Sequence, residues 1–182
     1  MIIALGIVAV WAVAEAILFF IVADVPISYV AVRYGVKSAL NASLIAAVMA
    51  AVGGVALVLW ARGDPAGVAR IIVALPAIDG TMLANAEITL SQKGYWGMFV
   101  GSFSGMPYKL YAYSAANATP GGLGGFFLGS IAARLPRFIC VALLTSGVST
   151  MLGKRLALRS RLILLSLAWT AFYAWYFANM PS

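Results

Sequence analysis

The sequence predicts an all-α integral membrane protein built from two re-entrant, broken helical hairpins in an inverted repeat, plus spanning helices. Three observations predict it. The 182 residues are 64% apolar and only 9% charged, with mean hydropathy +1.01, where soluble domains are nearer half apolar and a quarter charged. The apolar runs are irregular in length: some reach the roughly 20 residues that a spanning helix needs, and others stop near a dozen. Finally, two of these runs are broken by proline beside a charged residue, at Asp24-Val25-Pro26 and at Gly105-Met106-Pro107-Tyr108-Lys109.

Residues 1–62 read as a first hairpin and span. Met1 to Ala23 is long enough to span, but Asp24-Val25-Pro26 ends it, and a short apolar piece, Ile27 to Val32, follows. Met1 to Ala23 lacks a basic leading region and holds Glu15 mid-segment, so it is expected to be mature structure and not a signal peptide. Leu40 to Ala61 is an uninterrupted span containing Gly53-Gly54, closed by Arg62-Gly63-Asp64-Pro65.

Residues 63–93 read as an interfacial connector. Its charges balance, Arg70 and Lys93 against Asp79 and Glu87, which suits helices lying along the membrane surface with a turn near Pro76 to Gly80.

Residues 94–152 form the second hairpin and span. A short run from Gly94 to Met106 breaks at Gly105 and Pro107, turns at Asn117 to Gly122 and returns as Leu123 to Ala133. Irregular backbone in hydrocarbon is tolerated only where protein or a watery cavity surrounds it, so the break implies a hairpin entering and leaving by one face. Gly97, Gly101 and Gly105 recur every four residues, as do Gly121, Gly125, Gly129 and Ala133. Two facing stripes of small residues would let the arms pack backbone to backbone. Arg134-Leu135-Pro136-Arg137 marks the next joint, with Pro136 fitting a helix start, and Phe138 to Leu152 is the following span.

Residues 153–182 hold a basic loop, with Lys154, Arg155, Arg159 and Arg161, and a last span from Leu162 to Ala178. The loop argues for the cytoplasmic side, and Trp169, Tyr173, Trp175 and Tyr176 for an aromatic belt.

The net charge of +7 sits at segment ends and in this short loop, which suits topology control and anionic headgroups rather than nucleic acid. Cys140 is the sole cysteine and reads as a small core residue; histidine is absent. The usual zinc, haem and iron–sulfur ligands are therefore missing, and neither metal nor cofactor is expected. Without a nucleophile–base pair the chain is not expected to be an enzyme.

The intramembrane charges divide by unit. Glu15 and Asp24 are the acids of the first, and Lys109, Arg134 and Arg137 the bases of the second. Each would cost about 2.5–3.5 kcal/mol at the centre of a spanning helix, so they should pair or share one polar cavity between paired interrupted segments. Plainer roles fit the same residues: structural ion pairs between the acids and Lys109 or an arginine, a snorkelling Lys109, and arginines that only flank a span.

The pieces "SGMPYKLYAYSAA" and "FFLGSIAARLPRF", with "AEAILFFIVADVPISYVAVRYG" before them, resemble the DedA family, also called VTT-domain or SNARE-associated Golgi proteins, in its small-member type. The resemblance runs from about Trp11 to Leu152 and is most specific at Pro107-Tyr108-Lys109 and Arg134 to Phe138. It implies two facing re-entrant hairpins, a flippase or scramblase of polyprenyl phosphate or phospholipid, and a bacterial cytoplasmic membrane. Glu15 and Asp24 match its acidic positions, Lys109 the base after the proline, and Arg134 and Arg137 the later joint. Larger members have Arg-Phe-x-Pro-Gly-x-Arg; no such arginine precedes Pro107 here, where Ser102 and Phe103 stand. That departure points away from undecaprenyl phosphate more than from lipid transport.

The expected function is transport or scrambling of an anionic lipid. Lys109, Arg134 and Arg137 would bind its headgroup, Glu15 and Asp24 would pair with these bases or couple protons, and Pro26, Gly105 and Pro107 would break the hairpins. Self-association is left open. Two alternatives stay open, a small-solute or ion transporter using the same cavity and a non-catalytic membrane assembly subunit.

Overall fold

The computed structural model describes residues 1–18, 20–117 and 121–179. Among these, eight helices and no strands occur: α1 (Ile2–Ile17), α2 (Asp24–Tyr34), α3 (Val36–Gly63), α4 (Pro65–Val73), α5 (Gly80–Ser104), α6 (Tyr108–Ser114), α7 (Gly122–Leu152) and α8 (Leu158–Asn179). α3, α7 and α8 are each long and apolar enough to cross a membrane. At 1.5 Å per residue the 16-residue α1 reaches only about 24 Å, short of the roughly 30 Å hydrocarbon core.

α3 is the central helix and packs most extensively against α1 and α7. Its inner faces are built from Ala39, Ala42, Ala46, Ala47 and Ala50, all fully buried. Small side chains let helices approach closely where lipid supplies no hydrophobic drive between them. The approach is tightest at Gly53, where an added Cβ would lie 2.8 Å from the Val13 carbonyl oxygen of α1.

The first break differs from expectation. α1 ends at Ile17, and Asp24-Val25-Pro26 opens α2 instead of terminating the preceding run. Proline is tolerated in a first helical turn, where its missing N–H costs nothing, and a carboxylate there faces the positive end of the helix dipole. The Trp11 indole donates to the Ile21 carbonyl at 3.0 Å, tying the break back onto α1.

Residues 64–104 hold α4 and the kinked α5. Asp64 caps α4 by accepting from the Gly67 amide at 2.9 Å, and Pro65 takes the first helical position. Asp79 caps α5, accepting from the Met82 amide and the Thr81 hydroxyl, and these bonds hold its carboxyl below the usual carboxylate range, the hydroxyl contributing most. α5 then runs past Lys93 and kinks at Gly94, whose φ of 54° is a left-handed conformation open to glycine. That kink divides α5 into two arms, residues 80–93 and 95–104. α5 stops at Gly105 (φ 88°), where the Gly105 and Met106 amides both donate to the Gly101 carbonyl. The turn expected at Asn117 to Gly122 lies partly outside the described residues.

α7 contradicts the joint expected at Arg134 to Arg137, because it continues through Pro136 for 31 residues. The proline removes one ladder hydrogen bond, and neighbouring helices supply partners around it. The Ser102 hydroxyl of α5 donates to the Ala133 carbonyl and the Ser43 hydroxyl of α3 to the Phe138 carbonyl, each at 3.1 Å.

The glycine stripes also work differently. One glycine of each receives a tyrosine side chain: an added Cβ on Gly101 would fall 2.2 Å from the Tyr111 hydroxyl, and one on Gly129 would fall 2.5 Å from the Tyr95 ring. Gly129→Ala is therefore expected to destabilise the fold by about 1–3 kcal/mol through overpacking. Gly147→Ala, in the same helix with nothing within 4 Å, should instead stabilise it by about 0.5–1 kcal/mol. Thermal unfolding of both variants in one detergent measures the contrast.

Candidate functional site

One cavity of about 740 Å³ is lined by Glu15, Asp24, Lys109, Arg134 and Arg137 together, so the five charges dispersed over the sequence converge. Four elements supply them. Glu15 lies in the last turn of α1, Asp24 opens α2, and Lys109 is the second residue of α6 after Pro107. Arg134 and Arg137 lie three residues apart on α7 and share a face.

Both arginines pair with the acids of the first unit. Arg134 Nη2 lies 2.5 Å from Glu15 Oε2, and Arg137 Nη2 pairs with Asp24 Oδ2. Neither arginine merely flanks a span in water. Glu15, Asp24, Lys109 and Arg134 are 7%, 2%, 3% and 5% exposed, and charges so enclosed are tolerable only when compensated. Among the sequence's alternatives for the acids, an arginine partner is found for each of the two.

Each arginine has further supports. Arg137 Nη1 donates to the Ser102 carbonyl at 2.7 Å, placing a cation at the negative end of α5. The Arg134 guanidinium carbon lies 4.4 Å from the Tyr108 ring centroid and 5.1 Å from that of Phe138. Tyr108 is held in turn, stacking on Phe126 and donating from its hydroxyl to Ser130 Oγ at 2.7 Å. It fits because position 54 is glycine: an added Cβ there would lie 2.0 Å from its hydroxyl. Among the described residues, Arg134 Nε and Asp24 Oδ1 have no hydrogen-bond partner, leaving one donor and one acceptor unused at the charged floor.

Of the expected hairpin breaks, Gly105 and Pro107 line the cavity, while Pro26 is buried in the first turn of α2 beside Asp24. The tips of the two interrupted units thus meet the same space. Sequence reasoning missed Tyr108, Ser102 and Ser130, whose roles depend on partners distant in the chain. Trp169, Tyr173 and Tyr176 line the cavity, and Trp175 is exposed at 63%. One expectation is corrected. Cys140 is exposed and lines the cavity instead of filling the core. The i, i+4 spacing of Trp169 and Tyr173 was the available signal, since it sets both on one helix face.

The remaining walls are apolar. Phe20, Phe103, Leu144 and Phe172 line the cavity and are also exposed on the outer surface. The space therefore joins a charged floor to sides continuous with the protein's apolar exterior. No family model, curated protein or solved structure matches this chain.

Proposed function

We propose that the protein moves an anionic lipid across the bilayer, as a transporter or scramblase of the DedA type. The observation that supports this most directly is the split character of the cavity. Its floor holds three bases, Lys109, Arg134 and Arg137, against two acids, Glu15 and Asp24, a formal excess of one positive charge. Its walls are Phe20, Phe103, Leu144 and Phe172, which reach the lipid-facing exterior. A lipid needs both surfaces at once, a polar pocket for the headgroup and an apolar exit for the chains. A small solute has no use for the second.

In this reading a headgroup phosphate engages Lys109 and displaces the carboxylates from Arg134 and Arg137. Glu15 and Asp24 hold the arginines while the site is empty, and proton uptake by either acid would ease their release. The two interrupted units act as facing re-entrant hairpins of an inverted repeat. Their common order supports this: α1, break, α2 and long α3 in one, and the Gly94–Ser104 arm of α5, break, α6 and long α7 in the other. The membrane would be the bacterial cytoplasmic one.

Reconstitution into liposomes with labelled lipids tests the proposal. Phosphatidylglycerol, a polyprenyl phosphate and phosphatidylcholine should be compared with a soluble organic anion. At least one anionic lipid is expected to cross about tenfold faster than in protein-free liposomes. Flux of the soluble anion with no lipid movement would favour the small-solute transporter, and no flux of either kind the assembly subunit.

A further inference from the structure

α8 is attached to the body in an unusual way. None of its residues is buried, yet Leu165, Ala168, Trp169, Phe172, Tyr173 and Tyr176 form one wall of the cavity. Its packing is chiefly against α2. The polar ties found among the described residues fall in two groups. At its start, Arg161 Nη1 donates to the Ser149 carbonyl and hydroxyl oxygens at 3.0 and 2.9 Å, across the short connection from α7. Further along, the Trp169 indole donates to Ser28 Oγ at 2.9 Å, and the Tyr173 hydroxyl accepts from the Val22 amide at 2.9 Å. Beyond these, Phe177 meets Phe20 edge-on, with centroids 5.5 Å apart.

We propose that α8 is a lateral gate: it pivots at the Arg161–Ser149 end, and Trp169 and Tyr173 are the latch that holds it against α2. The contact positions 169, 173 and 177 lie four residues apart, so one face of the helix carries the latch, while the pivot sits about two turns earlier at Arg161. Two or three hydrogen bonds and one ring contact can be made and broken reversibly, unlike the alanine-lined packing that fixes α3. The latch also meets the site chemically. Val22 and Ser28 bracket Asp24, which pairs with Arg137 on the cavity floor. A headgroup that takes Arg137 from Asp24 disturbs the same segment that anchors the latch, so occupancy and opening are linked through α2.

The proposal rests on the lipid reading of the cavity for its purpose but not for its measurement. In a Cys140→Ala chain, spin labels at the exposed positions Tyr29 and Trp175 report the distance between α2 and α8. Replacing Trp169 and Tyr173 by phenylalanine keeps aromatic rings and removes two hydrogen bonds. That change should raise the ratio of a second, longer-distance population to the closed one about tenfold or more. A second chain with cysteines at positions 20 and 177, bridged by a short bis-thiosulfonate, should lose lipid movement at least tenfold and regain it on reduction.

Distances that do not change on unlatching overturn the gate. So does a bridged chain that moves lipid as fast as its reduced form, an outcome that leaves the lipid reading standing. Distances that respond while no form moves lipid keep the gate and overturn the lipid reading.

Discussion

Arg134→Ala is expected to lower stability by about 3–5 kcal/mol, the largest effect of any single change in the cavity. The argument is desolvation. Glu15 is 7% exposed and its Oε2 lies 2.5 Å from Arg134 Nη2, so removing the guanidinium strands a carboxylate in a low-dielectric interior. The Tyr108 and Phe138 rings lose their cation at the same time. Lys154→Ala, in the exposed α7–α8 connection, should stay within about 0.5 kcal/mol of the parent. The second half of the prediction is a rescue. Glu15→Gln combined with Arg134→Gln removes both charges and keeps comparable length, and should recover most of the loss. A double-mutant cycle on thermal unfolding in detergent measures the coupling. An Arg134→Ala protein within about 1 kcal/mol of the parent would mean that water reaches Glu15 freely and that the pair contributes little.

The same pair marks where the sequence stopped being informative. That Glu15, Asp24, Lys109, Arg134 and Arg137 share one space was legible, because isolated charges in apolar runs are too costly to leave apart. The location of the second break was legible too, with Gly105 closing α5 in a left-handed conformation and Pro107 two residues beyond. Pro136 was misleading for the opposite reason: α7 runs on through it, with carbonyls on either side bonded by Ser102 and Ser43, which lie 34 and 93 residues away in the chain and which no local pattern could supply. The glycine repeats announced close approach but not what approached, and the occupants are the Tyr95 and Tyr111 side chains. On α8, apolar and aromatic residues surround the helix almost uniformly, so composition did not distinguish the face with Trp169 and Tyr173 from the face turned to lipid.

Lys109→Ala is expected to slow lipid movement by roughly ten- to hundredfold while the protein still folds, the scale of one lost charge-assisted contact. Lys109 follows the Gly105–Pro107 break, is 3% exposed and lines the cavity. An ammonium attracts phosphate as a point charge, and its removal takes the formal charge of the floor from +1 to zero, three bases and two acids becoming two of each. Both carboxylate–arginine pairs remain in the variant, so the chief bonds across the site survive. A loss of stability within the ordinary range for a buried truncation, about 0.5–3 kcal/mol, is expected and should be measured beside transport. Lys109→Arg keeps the charge on a longer, planar head and should retain more activity than Lys109→Gln, which keeps polarity alone. If Lys109→Ala folds and moves lipid at the parent rate, Lys109 has no part in binding the headgroup, and Arg134 and Arg137 must then supply the attraction by leaving their carboxylates.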